Sequence, residues 1–341
     1  LAARFAPEAL ALTHPGERGA EPLAGWRGAL LTGPDAQREL ARWPGAEIVV
    51  NAVVGAAGLA PSLAALESGR RLALANKESL VMAGALLRAA SARHGGEILP
   101  IDSEHSALFQ CLEGRAGGVR RVVLTASGGP LRGLPPEALE RVTPAEALRH
   151  PTWRMGPRIT VDSATMLNKG FELIEARWLF DLPLERIAVW VHPQAIVHGL
   201  VEFEDGALLA QLSRPDMRLP IQYALSHPER WGEAVGPCDL TAIGALTFEA
   251  PDEARFPCLR LAREAARRGG TAPAVLNAAD EVLVAAFLEG RIALPDIAAG
   301  IADALERHAA IDEPALEEIL EADARARRAA EEFADGRAAR A

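Results

Sequence analysis

Residues 48–75, IVVNAVVGAAGLAPSLAALESGRRLALA, contain the pattern that decides the fold. The apolar run at 48–54 predicts a buried strand, and residues 61–68, which begin with a proline, predict a helix. A second apolar strand is expected at 71–75. Because strands that alternate with helices form parallel sheets, we predict a sheet of the dinucleotide-binding type. The VVGAAGL turn suits close approach of the backbone to a ligand, or is only structural, since no G-x-G-x-x-G fingerprint occurs in the sequence.

The remaining sequence predicts a mixed α/β and α+β fold. Strands are expected at 8–12, 28–31, 121–125, 159–161, 187–191, 197–203 and 207–212. Glu204-Asp205-Gly206 has the composition of a hairpin turn, so part of the central sheet should be antiparallel. We predict an incomplete Rossmann-like domain at 1–100, an α+β domain at 101–238, a connecting segment at 239–257 and a helix bundle at 258–341.

Composition excludes several classes of function. Acidic residues outnumber basic ones, 46 to 36, which argues against a nucleic-acid surface. No apolar run is long enough to span a bilayer, so no membrane interaction is expected. Three cysteines without a C-x-x-C pair indicate reduced thiols and a cytoplasmic protein. The sequence starts at Leu1 without a methionine, so we expect the natural start, and any targeting peptide, to lie outside it.

Three carboxylates are the leading candidates for a metal site. Asp102 and Glu104 follow a short apolar strand in LPIDSEH, and Glu172 lies in VDSATMLNKGFELIEARW. Their neighbours are hydroxyls, amides and a lysine rather than obvious ion-pair partners, and oxygen ligands suit Mg²⁺ or Mn²⁺. Alternatively, they are solvated surface charges, because D-x-E triplets are common.

The segment around Glu172 also suggests a phosphate site. We expect Asp162-Ser163 to cap a helix that buries Leu167, Phe171, Ile174 and Trp178 at helical spacing. Free N–H groups at such a start favour an anion, so Ser163, Asn168 and Lys169 are candidates to bind phosphate one turn before Glu172. In the alternative, Asn168 and Glu172 are only exposed helix residues.

Other loops carry further candidates. Ser127 lies in a glycine-containing TASGGP loop that suits a phosphate or is only a turn. His150 begins HPTWRMGPR, where Trp153 and Met155 belong either to a lid or to a satellite of the core. Lys77 suits a substrate oxygen and its neighbours Asn76 and Glu78 a cofactor, unless this segment only caps a helix. Three histidines are weaker candidates: His105, His192 and His198.

Eight segments, in order, resemble the 1-deoxy-D-xylulose 5-phosphate reductoisomerase family. They are ALANKESLV, LPIDSEHSALFQ, LTASGGP, HPTWRMG, VDSATMLNKGFELIEARWLF, VHPQAIVHG, LAQLSRPDMRLPI and LNAADEVLVAAFL. The resemblance implies a homodimeric enzyme that uses NADPH and Mg²⁺ or Mn²⁺. It would convert 1-deoxy-D-xylulose 5-phosphate into 2-C-methyl-D-erythritol 4-phosphate for isoprenoid precursors. A retro-aldol cleavage, re-addition at another carbon and reduction by hydride from NADPH are the implied steps.

The resemblance also implies roles for individual residues. The metal ligands would be Asp102, Glu104 and Glu172. Lys77, Ser103 and Glu104 would contact the carbon skeleton and hydroxyls of the substrate. Its phosphate would be held by Ser127, His150, Ser163, Asn168 and Lys169. NADPH would face Asn76, Glu78 and Gly156, and Trp153 and Met155 would belong to a closing loop. Glu104 or a metal-bound water would move protons, with Lys77 and His198 in support.

One part of the family pattern is absent from the sequence. Members begin with a glycine-rich GSTGSIG-type strand–turn–helix that binds the NADPH pyrophosphate, and this sequence starts downstream of it. Either the sequence is truncated at its N-terminus, which we expect, or the protein has lost its cofactor-binding unit. In both cases we expect poor NADPH binding, slow or no turnover, and an exposed sheet edge. Two alternatives remain: a metal-dependent sugar-phosphate isomerase or lyase without nicotinamide, and a non-catalytic binding protein.

Overall fold

The computed structural model describes residues 2–14, 26–114 and 117–339 of the protein. The strands in these ranges are β1 (Ala9–Leu12), β2 (Ala29–Thr32), β3 (Ile48–Asn51), β4 (Arg71–Leu74), β5 (Ile98–Pro100), β6 (Val119–Ala126), β7 (Ile187–Val191), β8 (Val197–Phe203) and β9 (Leu208–Leu212). The helices are α1 (Ala2–Phe5), α2 (Ala36–Ala41), α3 (Leu59–Glu67), α4 (Lys77–His94), α5 (Ser103–Leu112), α6 (Pro144–Ala147), α7 (Pro157–Thr165), α8 (Leu167–Phe180), α9 (Arg218–Ser226), α10 (Leu240–Ile243), α11 (Cys258–Arg268), α12 (Ala272–Leu288), α13 (Leu294–Arg307) and α14 (Leu316–Ala338). None of these helices is both long and apolar enough to cross a membrane.

The N-terminal strands form two parallel sheets. Strands β1 and β2 pair with each other, and β3, β4 and β5 pair in that order, with Ile48 opposite Arg71 and Leu72 opposite Ile98. Strand β3 is an edge of its sheet, and Val50 on it is 49% exposed. The parallel strand–helix–strand unit predicted from residues 48–75 is confirmed.

The central sheet has the order β7-β6-β8-β9. Strand β7 pairs with β6 in parallel, whereas β8 pairs with both β6 and β9 in antiparallel fashion. The predicted hairpin joins β8 to β9, with Gly206 at φ 89° in the turn. Helix α5 packs on β8, so that a Cβ at Gly199 would lie 3.1 Å from the carbonyl oxygen of Glu104. This contact fixes the acidic segment at 102–104 on the sheet.

The strand predicted at 159–161 is wrong, because these residues lie inside α7. Their β-branched side chains favour a strand. However, Gly156 is the N-cap and Pro157 the first helical residue, an arrangement that starts a helix. The predicted cap at Asp162-Ser163 is wrong for the same reason, and the next helix, α8, starts at Leu167 after Met166, which has φ 64°.

Helices α11–α14 pack on one another, and α11 packs on α8. Leu167, Phe171 and Ile174 of α8 are at most 1% exposed and share one apolar core with strands β6 and β7 and with helices α11–α14, while Trp178 packs against that core. The C-terminal helix bundle is therefore present, and it shares its core with the central segment. The residue limits predicted for the domains stay predictions.

Candidate active site

A cleft of about 250 Å³ brings together residues from distant parts of the sequence. It lies beyond the carboxyl ends of β4, β5 and β6, where ligand sites of α/β sheets occur. Its lining includes every residue predicted to contact metal or substrate: Lys77, Asp102, Ser103, Glu104, Ser127, His150, Ser163, Asn168, Lys169 and Glu172. The predicted cofactor residues are not part of this lining: Asn76, Glu78 and Gly156.

The three predicted metal ligands converge at one end of the cleft. Asp102, two residues after the end of β5, is the N-cap of α5, and Glu104 is in the first turn of that helix. Glu172 reaches them from α8 and is 0% exposed, so it is neither a surface charge nor an exposed helix residue. One carboxylate oxygen of each residue lies within 4.8 Å of the others.

Two lysines neutralise this acidic cluster, which the sequence interpretation missed. Lys77 Nζ lies 2.8 Å from Asp102 Oδ2 and donates to Asn168 Oδ1 at 2.6 Å. Lys169 Nζ donates to Glu104 Oε1 at 2.9 Å and also to Glu172. The expectation that the acids lack ion-pair partners is therefore wrong, because buried charges need opposite charges nearby.

Burial and charge shift the pKa values of these groups in opposite directions. Burial, together with the nearby carboxylate of Glu104, raises the pKa of Glu172 to about 8. Burial alone would raise the pKa of Asp102, but Lys77 holds it well below its usual value. Burial alone would lower the pKa of both lysines, yet the surrounding carboxylates keep it above the usual value. Both ammonium groups therefore stay charged at neutral pH.

The donor set fits a hard divalent cation. It consists of three carboxylates at ion-binding separation, and Mg²⁺ and Mn²⁺ prefer oxygen ligands. Asp102 makes no side-chain cap bond to its own helix, so its oxygens face the cleft cluster. An ion here would compete with Lys77 and Lys169 for the same oxygens.

A second group of this kind lies beside the first. His105 and Glu175, with Asp102, also place ligand atoms within 4.8 Å of one another. His105 is 0% exposed and its Nε2 lies 2.8 Å from the backbone oxygen of Glu172, while no hydrogen bond to its Nδ1 is found among the described residues. Glu175 was missed in the sequence as a site residue, although it lies one turn after Glu172.

A serine–histidine pair marks the other part of the cleft. His150 Nδ1 accepts hydrogen bonds from the backbone N–H groups of Thr152 and Trp153, at 3.1 and 2.9 Å. The proton of the neutral ring is therefore on Nε2, which donates to Ser127 Oγ at 2.9 Å. Burial lowers the pKa of His150, so the ring is neutral at pH 7. Ser127 Oγ also accepts from Gly129 N at 3.2 Å, which leaves its own proton free to donate into the cleft.

Ser163 lies beside this pair, in the last turn of α7. The helix start that the sequence suggested at Ser163 is instead at Leu167, so Asn168 and Lys169 occupy the first turn of α8, where a helix favours an anion. Asn168 donates to Glu172 Oε1 at 2.6 Å, so that its amide connects this turn to the acidic cluster. Phosphate contacts at these residues stay predictions.

Gly129→Ala is expected to disrupt the Ser127 loop. Gly129 has φ 70°, and a Cβ there would lie 2.4 Å from the carbonyl oxygen of Ser163. The left-handed backbone alone costs an alanine about 1–2 kcal/mol, and the clash adds to that. We expect a lower melting temperature and weakened binding of phosphorylated ligand, measured by thermal unfolding and calorimetry. Gly133→Ala is the control, since no atom lies within 4 Å of its Cβ position; equal behaviour of the two variants would contradict the prediction.

Asn76 and Glu78 hydrogen-bond the backbone of the VVGAAGL segment at 53–59, which we call the glycine turn. Asn76 is the N-cap of α4 and donates to the carbonyl oxygens of Val53 and Gly55 at 2.7 and 2.9 Å. Glu78 Oε1 accepts from Gly55 N at 3.1 Å and from Arg158, a buried cation that the sequence analysis missed. Both residues are under 10% exposed, and cofactor contact stays a prediction for them and for the exposed Gly156.

The loop at 150–156 lines the cleft with Trp153, Arg154 and Met155. The Trp153 ring lies 6.3 Å from that of His198, which is buried and whose Nε2 is 3.3 Å from Ser213 O. His192 bonds the backbone at Thr247 and Ile196 and is not part of the cleft lining. Of the three weaker histidine candidates, His105 and His198 therefore border the site, whereas His192 lies outside the lining of the cleft.

Family models match three parts of the chain. Residues 2–84 match 1-deoxy-D-xylulose 5-phosphate reductoisomerase, and residues 98–180 match the C-terminal domain of the same enzyme. Residues 212–329 match the DXP reductoisomerase C-terminal domain.

Relatives and solved structures agree with these matches. The 1-deoxy-D-xylulose 5-phosphate reductoisomerase of Heliobacterium modesticaldum is 54% identical over 95% of this chain and 84% of its own length. That of Ralstonia nicotianae is 55% identical over 88% and 78%. A crystal structure of DOX-P reductoisomerase in complex with NADPH, fosmidomycin and magnesium has a TM-score of 0.94 at 42% identity, covering 98% of this chain and 87% of that chain. The enzyme from Zymomonas mobilis in complex with NADPH has a TM-score of 0.90 at 42% identity with the same coverage. This chain therefore belongs to the 1-deoxy-D-xylulose 5-phosphate reductoisomerase family.

Proposed function

We propose that the protein converts 1-deoxy-D-xylulose 5-phosphate into 2-C-methyl-D-erythritol 4-phosphate, with NADPH and a divalent metal ion, for isoprenoid biosynthesis. The observation that carries this proposal is one cleft with a carboxylate cluster at one end and the Ser127–His150 pair beside it. Such a cleft can hold a metal ion and a phosphate at the same time. Sequence and structural relatives named for this reaction support the choice of substrate.

Each group of residues has a part in this proposal. Asp102, Glu104 and Glu172 would hold Mg²⁺ or Mn²⁺, which supplies stabilisation of negative charge on substrate oxygens. Lys77 offers a fixed ammonium to the carbon skeleton and hydroxyls of the substrate. Ser103 Oγ donates to Glu104 Oε2 at 2.6 Å and orients that carboxylate, which can accept or return a proton at a substrate hydroxyl.

The phosphate would bind between the Ser127 loop and the two helices α7 and α8. His150 Nε2–H donates to Ser127 Oγ and orients it, so that the Ser127 hydroxyl would donate a hydrogen bond to a phosphate oxygen. The remaining proposed contacts are Ser163, Asn168 and Lys169. Because the phosphate is remote from the bonds that change, its binding orients the substrate. Trp153 and Met155 would cover the bound substrate and exclude water.

For the cofactor, we propose that NADPH binds near the glycine turn and the start of α7. Gly156 is exposed there, whereas Asn76 and Glu78 would act by holding the turn in shape. NADPH supplies the hydride for the reduction.

NADPH consumption tests the proposed function. NADPH absorbance should fall only when 1-deoxy-D-xylulose 5-phosphate and Mn²⁺ are both present. The assay is run on this chain and on the chain extended by whatever its gene encodes upstream of Leu1. Consumption of the sugar phosphate without NADPH oxidation by the extended chain would instead establish an isomerase or lyase that needs no nicotinamide.

We also propose a cytoplasmic homodimer. The sequence has three cysteines, an odd number, and no C-x-x-C pair, which fits a reducing compartment. Leu208 on the edge strand β9 and Phe248 are 47% and 42% exposed, as expected for side chains that a second copy covers. A molar mass near 36.2 kDa in light scattering, that of one chain, would contradict the dimer.

A further inference from the structure

A buried charge cluster outside the cleft joins four separate segments of the chain. Arg158, the second residue of α7, is at its centre. Its Nη1 lies 2.7 Å from Glu78 Oε1 on α4 and 3.1 Å from Glu281 Oε1 on α12, and its Nη2 donates to Asp280 Oδ2 at 3.1 Å and to Asn277 Oδ1 at 3.0 Å. The side chain of Arg158 is only 18% exposed.

The two glutamates of this cluster hold the glycine turn by its backbone. Gly55 N donates to Glu78 Oε1 and Ala56 N donates to Glu281 Oε1, both at 3.1 Å. Gly55 has φ 77°, a left-handed conformation that favours glycine, and a Cβ there would lie 3.0 Å from Glu281 Oε1. One nitrogen of Arg158 therefore bridges the two oxygens that fix successive amides of the turn.

The same arginine is next to the loop that lines the cleft. Residues 150–156 end where α7 begins, one residue before Arg158, and Trp153 and Met155 of this loop face the cleft. The outer face of the glycine turn is exposed at Ala52, Val54 and Ala57, beyond the carboxyl end of β3. Movement of α7 at its first turn would thus pull on the acceptors of the glycine turn.

We propose that Arg158 is a positioning residue that couples the shape of the glycine turn to the position of loop 150–156. It makes dinucleotide binding at the turn and phosphorylated-ligand binding in the cleft reinforce each other. The proposal rests on the function proposed above, because it assigns the dinucleotide to the turn. A cation with a planar fork suits this role, since it bonds carboxylates from two helices at once.

Hydrogen exchange of the protein without ligands tests the link itself. Arg158→Gln should increase amide exchange at least about tenfold both in residues 53–58 and in the first turn of α7. Arg327→Gln is the matched control: Arg327 pairs with Glu281 Oε2 at 2.8 Å, and its other side-chain bonds within the described ranges go to Asp323 on its own helix, not to α7. It should spare the exchange of α7. If amide exchange in Arg158→Gln is unchanged, or rises in only one of these two segments, the proposal is overturned, whether or not the protein uses NADPH.

Ligand coupling is the second measurement. The affinity for NADPH is determined with and without 2-C-methyl-D-erythritol 4-phosphate plus Mn²⁺. NADPH and this product cannot react with each other, because both are already reduced. In the unmodified protein the product should tighten NADPH binding at least about fivefold, and in Arg158→Gln this factor should fall to about one. Arg158→Lys, which keeps the charge without the fork, should recover part of it. Retention of the full fivefold effect in Arg158→Gln would overturn the proposal. Failure to bind NADPH by the chain extended by whatever its gene encodes upstream of Leu1 would refute the proposed function instead.

Loss of Arg158 leaves the buried Asp280 without this cation, which destabilises the fold, so a second variant guards against unfolding of Arg158→Gln. The double variant R158Q/E281Q removes one charge of each sign and serves in its place. The double variant should show the same loss of coupling. If the product still tightens NADPH binding about fivefold in the double variant, the proposal is overturned.

Discussion

Replacing Glu172 by glutamine is expected to weaken Mn²⁺ binding by more than about 100-fold and to abolish NADPH oxidation. Glu172 is 0% exposed and is the carboxylate that joins α8 to the acidic segment of α5. Glutamine has nearly the same shape but carries no negative charge, so the change removes a ligand without opening a cavity. Calorimetric titration with Mn²⁺ measures the affinity, and circular dichroism verifies the fold.

Glu175→Gln is the matched control for this experiment. Glu175 lies on the same helix, is 3% exposed and belongs to the alternative cluster with His105. We expect it to reduce Mn²⁺ affinity far less than Glu172→Gln does. The reverse order would place the ion with Asp102, His105 and Glu175, and loss in neither variant would favour a protein that binds no metal through these acids.

The sequence allowed the grouping of site residues to be predicted because local signals placed them. Asp102 and Glu104 follow an apolar strand, and the carboxyl ends of parallel strands are where sites form. Glu172 could be assigned because its helix has a clear apolar stripe on Phe171 and Ile174. The structure brings all of them into one cleft.

Other features depend on contacts that no local pattern contains. The lysines that neutralise the acids are distant from them in the sequence, as in the bond between Lys169 and Glu104, which are 65 residues apart. Arg158 and Asp280 are 122 residues apart. The β-branched residues of α7 predict a strand, and only the Gly156-Pro157 start could have corrected this. The positive φ of Met166, which separates α7 from α8, has no sequence signature because it is not a glycine.

Lys169→Met is expected to make the stability of the protein depend on a divalent cation. Lys169 is 4% exposed and bonds both Glu104 and Glu172. Its loss removes the ion-pair partner of Glu104 and leaves the buried Glu172 with the more distant Lys77, 3.9 Å away. Breaking such a pair costs about 3–5 kcal/mol of unfolding free energy. In chelator the variant should therefore melt well below the unmodified protein. Saturating Mn²⁺ should recover most of the difference, because the ion replaces the missing positive charge and binds only the folded state.

The pH dependence gives this prediction its sign. The pKa of Glu172 is already raised to about 8 by burial, and it rises further without Lys169. An acid whose pKa is higher in the folded than in the unfolded state makes the protein less stable as pH rises toward that pKa. The drop in melting temperature of Lys169→Met in chelator should therefore be larger at about pH 9 than at about pH 6. Phe171→Ala, also on α8 and 0% exposed, should lose about 3–5 kcal/mol through a cavity. Because a cavity carries no charge, the stability loss of Phe171→Ala should not depend on pH in this way. Mn²⁺ should stabilise this variant only as much as it stabilises the unmodified protein. Equal rescue of both variants by Mn²⁺ would contradict the prediction, because it would mean that the ion does not replace the positive charge of Lys169.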